Sequence, residues 1–152
     1  MRIWLLAVGR LKAGPEQALV RQYAGRITWS IETREVEEKR RLSAVEMRER
    51  EGTLLLSALP ERATAVALDP RGKSLTSEAF AAQIARWRGD GVADLAFLIG
   101  GADGLADTVR SQAGLVLSLG PMTWPHLLVR GMLLEQLYRA QQILAGHPYH
   151  RG

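Results

Sequence analysis

The 152-residue chain is predicted to be an α/β domain, a mostly parallel sheet with helices on both faces. Three observations predict it. Apolar runs of strand length alternate with amphipathic stretches of helix length almost from end to end. The strand candidates read as continuous apolar runs instead of alternating ones, as strands covered on both faces do. Turn residues fall between the two kinds of segment.

The elements follow in order. Residues 2–8 (Arg-Ile-Trp-Leu-Leu-Ala-Val) make a first buried strand. This run is too short for a secretory leader, carries Arg10 and Lys12 behind it, and shows no small-residue cleavage site. A helix over 15–27 opens on Pro15, whose missing N–H costs nothing in a first turn. Residues 28–35 alternate in character and suit a strand near an edge. Glu37 to Leu42 is a charged connector, and Ser43 caps a helix to about Leu59. Residues 63–68 form another buried strand, closed by the turn Asp69-Pro70-Arg71-Gly72. Thr76 or Ser77 starts a helix that ends near Gly89 and Gly91. A strand over 93–99, a short helix over 105–113, a strand over 115–119 and a long helix over 126–145 complete a single domain spanning 1–152.

Composition narrows the function classes. Hydrophobic residues make up 47% and charged residues 24%, the balance of a globular domain large enough to bury a core. Without cysteine there is no disulfide framework and no thiolate metal site. No run approaches the ~18 apolar residues of a membrane span, so a cytoplasmic protein without membrane contact is expected. His126, His147 and His150 lack a matching acidic cluster, and no metal is expected. The net charge of +4, carried mostly by arginine, permits an RNA partner without demanding one.

Two turns stand out. Ile99-Gly100-Gly101-Ala102-Asp103-Gly104 joins a strand to a helix and leaves backbone N–H groups free to face a ligand. Ser118-Leu119-Gly120-Pro121-Met122-Thr123-Trp124-Pro125, stiffened by two prolines, could offer donors and acceptors to a purine edge, with Met122 and Trp124 packing on its ring. The bland alternative is a rigid loop with a core tryptophan. A dinucleotide-binding enzyme would carry its glycine fingerprint after the first strand. There the chain reads Gly9-Arg10-Leu11-Lys12-Ala13-Gly14, which does not match and argues against that class. The last helix has two apolar stripes, Leu133, Leu137, Ala140 and Leu144 on one side and Val129, Met132, Gln136 and Ile143 on the other. One stripe suits the sheet; the second suits a twofold partner, or a deeper burial in its own domain.

Taken together, Phe97-Leu98-Ile99-Gly100-Gly101-x-Asp103-Gly104, Ser118-Leu119, Thr123-x-Pro125-His126, Leu128-x-Arg130, Leu134-Glu135-Gln136-Leu137-Tyr138-Arg139-Ala140 and the closing Pro148-Tyr149-His150-Arg151 resemble the RlmH family of SPOUT-superfamily methyltransferases. The likeness is close over 95–152 and loose between 10 and 62. It implies a C-terminal trefoil knot, a homodimer, and S-adenosylmethionine held by Leu68, Gly101, Gly120, Pro121, Met122, Thr123, Trp124 and Pro125. It implies methylation of N3 of a pseudouridine in helix 69 of 23S rRNA within the assembled ribosome. Asp103 stands where the family usually has Glu, and Gly120 and Trp124 replace a more usual Ser and aliphatic residue.

N3 is an imide nitrogen and must lose its proton, so a base is wanted. His150 and His147 are the candidates, with Arg151 and Arg130 to stabilise imidate charge or clamp a phosphate, and Tyr149 to stack on the base. The structural alternatives are that His126 only caps its helix and that Arg130 pairs with Glu135 or a dimer neighbour. Two rival functions remain open at this level: a SPOUT enzyme acting on tRNA, and a ribosome assembly factor that binds the cofactor without turnover.

Overall fold

The structure is a computed structural model that describes residues 1–150, with His150 described by its backbone alone. Five strands, β1 (Arg2–Val8), β2 (Ser30–Val36), β3 (Thr64–Ser74), β4 (Asp94–Ile99) and β5 (Leu115–Ser118), form one all-parallel sheet in the order β2-β1-β4-β3-β5. The helices are α1 (Pro15–Ala24), α2 (Ala44–Ala58), α3 (Ser77–Gly89), α4 (Asp107–Gln112) and α5 (His126–Leu144), followed by one 3-10 turn over Pro148–His150.

The continuous apolar strands divide between two cores because successive side chains point to opposite faces. Ile3, Leu5 and Ala7 of β1, with Leu95, Phe97 and Ile99 of β4, pack under α1, α3 and α5. Trp4, Leu6 and Val8, with Ala96 and Leu98, pack under α2 and α4. Parallel strands covered on both faces put every loop that follows a strand at one end of the sheet.

Capping follows the expected chemistry. Ser43 accepts from the Glu46 N–H at 3.2 Å and its hydroxyl donates to the Glu46 carboxylate at 2.8 Å, which holds the cap in place. Thr76 accepts from the Ala79 N–H at 3.0 Å. Helix α5 lies so close to α1 that a β-carbon at Gly131 would sit 2.5 Å from Leu19 Cδ2, so a larger residue there would require Leu19 to shift.

One expectation is corrected. The chain does not turn away at Asp69–Gly72; β3 bulges there and resumes, with Leu68 and Lys73 both opposite Leu117 and Ser74 opposite Ser118. The Asp69 side chain still accepts from the Arg71 N–H at 2.8 Å, as in a turn. Pairing with β5 nevertheless overrides it. A β-carbon at Gly72 would lie 2.5 Å from the Val116 carbonyl oxygen, which is why the strand passes here only as glycine.

Candidate functional site

The loops leaving β3, β4 and β5 enclose a cavity of about 480 Å³ at the carboxyl ends of the strands. Its walls are the Leu68–Pro70 bulge, the Gly100–Leu105 turn and the Leu119–Pro125 loop. Leu68, Gly101, Gly120, Met122, Thr123, Trp124 and Pro125 all line it, as expected; Pro121, predicted with them, is not among the lining residues. His126 and Val129 close it from the first turn of α5.

Each wall is built locally. In the turn, the Gly104 N–H donates to the Gly101 carbonyl at 3.1 Å, and Gly104 takes a φ of 81° that L side chains rarely adopt. In the loop, the buried Ser118 hydroxyl accepts from the Gly120 N–H and donates to the Gly120 carbonyl, both at 3.0 Å. That clasp fixes where the loop leaves β5. Trp124 donates its indole N–H to the Leu119 carbonyl at 3.3 Å and is 41% exposed, so its ring belongs to the cavity wall and not to the core.

Asp69 is 6% exposed and fully engaged. Its carboxylate accepts from Arg71 at 3.2 and 3.3 Å and from Arg110 at 3.1 Å. Burial pushes the carboxyl upward, but the Arg71 hydrogen bonds and the charges of Arg71 and Arg110 outweigh it and hold Asp69 below the ordinary range. Arg110 also donates to the Leu105 carbonyl at 2.9 Å and pairs with Asp107, which ties the β3 bulge to the segment following the turn.

Arg130 is 2% exposed and does not face the cavity as a free cation. One guanidinium nitrogen meets Glu35 at 2.5 Å; another donates to the Gly9 carbonyl at 2.8 Å and the Val8 carbonyl at 3.3 Å. It therefore fastens α5 to the ends of β1 and β2. Neither the expected phosphate clamp nor a pair with Glu135 is what the geometry shows. Glu135 is held by Arg139 at 2.6 Å. His126 lies one turn before Arg130, and burial, then the Arg130 charge, lowers its pKa.

The described part of the tail is separate from the cavity within one chain. His147 follows the far end of α5, and Tyr149 folds back so that its hydroxyl donates to Glu135 at 3.3 Å. The Tyr149 ring packs edge-on against Tyr138 at 4.7 Å, with the Arg139 guanidinium 5.0 Å from its centroid. Glu135 is nine positions beyond His126, roughly 14 Å along the helix at ~1.5 Å per residue. Neither His147 nor Tyr149 lines the cavity. The His150 side chain and Arg151, also predicted as site residues, lie outside the described residues.

Sequence reading missed Glu51. It sits on α2 among Arg48, Glu49 and Arg50, which reads as a solvated face, yet it is 8% exposed and placed beside the glycine turn.

An open parallel sheet with its cavity beyond the strand ends in the C-terminal half has the arrangement of the SPOUT methyltransferases, and the family model described as "Predicted SPOUT methyltransferase" matches residues 1–150. The chain is 58% identical over 152 residues to ribosomal RNA large subunit methyltransferase H of Rhodospirillum centenum, covering all of both proteins. It is 55% identical over 151 residues to the protein of the same name from Paramagnetospirillum magneticum, covering 99% of each. The chain belongs to this RlmH family of SPOUT methyltransferases. A solved structure, Legionella pneumophila Lpg2936 in complex with bound cofactor SAM, shares the fold at a TM-score of 0.52 and 15% identity. The alignment covers 92% of this chain and 66% of that one.

Proposed function

We propose that this protein transfers the methyl group of S-adenosylmethionine to N3 of a pseudouridine in helix 69 of 23S rRNA within the assembled ribosome. The observation that carries the reading is the cavity itself, which joins seven of the eight expected cofactor residues into one enclosure in a chain whose full-length relatives are named as large-subunit rRNA methyltransferases.

The cavity suits the cofactor. Its volume falls within the ~300–1,000 Å³ of small-molecule sites. Leu68, Leu117, Met122 and Trp124 supply an apolar slot for a purine, with Leu119 and Gly120 lining the same wall. S-adenosylmethionine contributes an electrophilic methyl carbon on sulfonium. The protein's part is to orient that carbon against N3, exclude water and accept the imide proton; positioning alone can contribute ~7–11 kcal/mol. His150 or His147 takes the N3 proton, Arg151 stabilises the negative charge left on the ring oxygens, and Tyr149 meets the base. Arg130 acts by positioning, since its guanidinium is already engaged by Glu35 and β1.

The tail reaches the cavity through a second copy of the chain. An apolar groove of about 430 Å³ along α5, floored by Leu19, Tyr23, Phe80, Met132 and Gln136, supports a twofold interface on the helix's second stripe. The C-terminal knot belongs to the same proposal. The modest charge of +4 per subunit favours a folded ribosomal substrate that supplies shape over a short naked RNA. No described helix is long and apolar enough to cross a membrane.

Labelled methyl transfer to ribosomes lacking the mark, followed by nuclease mapping, tests the reading. Label at N3 of the helix 69 pseudouridine is expected. Stoichiometric cofactor binding with no label would move the protein to the assembly-factor class, and label in tRNA to another SPOUT activity. For the tail, His150→Ala is expected to lower turnover more than cofactor affinity. Mixing it with a cofactor-dead Gly120→Val chain should restore part of the activity, because one hybrid site then has both intact parts. A mixture no better than its two components would show that each tail serves its own chain.

A further inference from the structure

The segments that follow β1 and β2 hold most of the molecule's excess charge. Residues 9–14 and 37–43 contain five cations, Arg10, Lys12, Lys39, Arg40 and Arg41, against two anions, Glu37 and Glu38. Their net charge of +3 compares with +4 for the whole chain.

The sheet sets these two segments side by side. Strands β1 and β2 are parallel neighbours with Val8 opposite Val36, so both segments leave the end of the sheet that holds the cavity. The Gly9 N–H donates to the Val36 carbonyl at 2.9 Å and the Leu11 N–H to the Glu35 carboxylate at 2.7 Å, which folds the first segment over the end of β2. That segment starts at the cavity's edge. A β-carbon at Gly9 would lie 3.6 Å from Nε2 of His126, a cavity-lining residue.

Most of the local anions are engaged within the protein, and most of the cations are not. Glu35 is held by Leu11 and Arg130. Glu38 accepts from the Arg40 N–H and guanidinium, both at 2.9 Å, and from Arg50 at 3.0 Å. Arg10, Lys12, Lys39 and Arg41 are exposed, and among the described residues none of them has a side-chain hydrogen bond or ion pair. Glu37 is the exposed anion left between them. Grouped cations of this kind raise the potential of the face that carries them and attract an anionic partner. Neither segment has an aromatic residue on which a base could stack. Such a surface suits phosphates, which fix position, and not base edges, which carry sequence. Arginine adds a fork that matches phosphate oxygens in pairs.

We infer that Arg10, Lys12, Lys39 and Arg41 form the docking surface for the phosphate backbone of the RNA beside the target nucleotide. The inference rests on the rRNA reading and deepens it. The target nucleotide is presented at the cavity, and its flanking strand runs over the ends of β1 and β2. The surface holds RNA without reading its sequence, so the choice of target stays with the shape of the folded substrate.

Binding of the full-length protein to ribosomes lacking the mark, measured over a range of salt, tests this. Two double variants each remove two cations: Arg10→Gln with Lys12→Gln, and Lys39→Gln with Arg41→Gln. A control, Arg62→Gln with Arg86→Gln, removes two exposed cations away from this face, one before β3 and one on α3. Each phosphate contact adds ~0.7–0.9 to the slope of log affinity against log salt. Each surface double should therefore lose about 1–2 units of slope and about tenfold in affinity at low salt. Affinity for S-adenosylhomocysteine, read by calorimetry, and turnover at saturating ribosome should stay within about twofold, as loss of substrate docking alone implies. The charge-conserving pair Arg10→Lys with Arg41→Lys should keep most of the binding. An equal loss in the control, or unchanged affinity and slope in both surface doubles, would overturn the surface while leaving the methyl-transfer reading in place. So would a loss seen on ribosomes but absent on protein-free rRNA, which would give the surface to a ribosomal protein. A wild-type protein that neither binds nor methylates ribosomes would remove the rRNA reading itself, and this inference with it.

Discussion

Two buried carboxylates, Asp69 in the cavity wall and Glu51 behind the glycine turn, are treated in opposite ways. On the β3 side, Asp69 is surrounded by cations and held well ionised. On the α2 side, Glu51 has an oxygen with no partner and a pKa raised by burial and by Asp103. Burial alone does not say what a charged residue is for; the partners do. A saturated carboxylate belongs to the architecture, here joining the bulge of β3 to the segment that enters α4. An unsaturated one leaves its charge uncompensated and weighs against the folded state.

The largest effect should come from breaking the saturated side. Asp69→Ala removes a buried carboxylate that Arg71 and Arg110 share and leaves the half-buried Arg110 with Asp107 as its remaining anion, and stability is expected to fall by about 2 kcal/mol in a urea titration. Arg71→Ala removes the exposed partner of the same carboxylate and should cost much less, because solvent screens that pair. If the two variants lose equal stability, the division between a saturated and an uncompensated carboxylate is not the right one.

A smaller effect sharpens the contrast through pH. The folded-state pKa of Asp69 is depressed, so its contribution is present above the unfolded value near 3.8 and is lost as pH falls through the folded value. That of Glu51 is raised, so its contribution is fully present below 4.5 and is lost as pH rises through the folded value. Melting curves of the ligand-free protein should therefore cross over. Relative to wild type, Glu51→Gln gains Tm between pH 4 and pH 8, while Asp69→Ala is penalised more as pH rises over the acid range. A gain in Glu51→Gln that does not change with pH would mean that the carboxyl is not the source of the strain.

Much of this molecule was readable in the chain. The seven apolar-rich residues of β1, the caps at Ser43 and Thr76, and the run leading into the glycine turn are local signals, and local chemistry honours them. The cavity lining was partly legible because it clusters in two turns, Gly100–Gly104 and Ser118–Pro125, with Leu68 added by family resemblance. Glu51 was not, since its neighbours in sequence are charged and only the approach of the Gly101 turn makes its side buried. Arg130 was misread for the same reason: its partner Glu35 is 95 residues away. The tail histidines and Arg151 were nominated from the family pattern, and their roles stay with the proposal.

Sequence by itself determined which segments become strands and helices, because periodicity, caps and glycine turns act over a few residues. It also determined the family, through motifs that keep their order along the chain. Tertiary structure decided the strand order, the passage of β3 through Asp69–Gly72, and which charged groups are satisfied. These depend on pairings between residues tens of positions apart, whose free energy exists only once the sheet has brought them together.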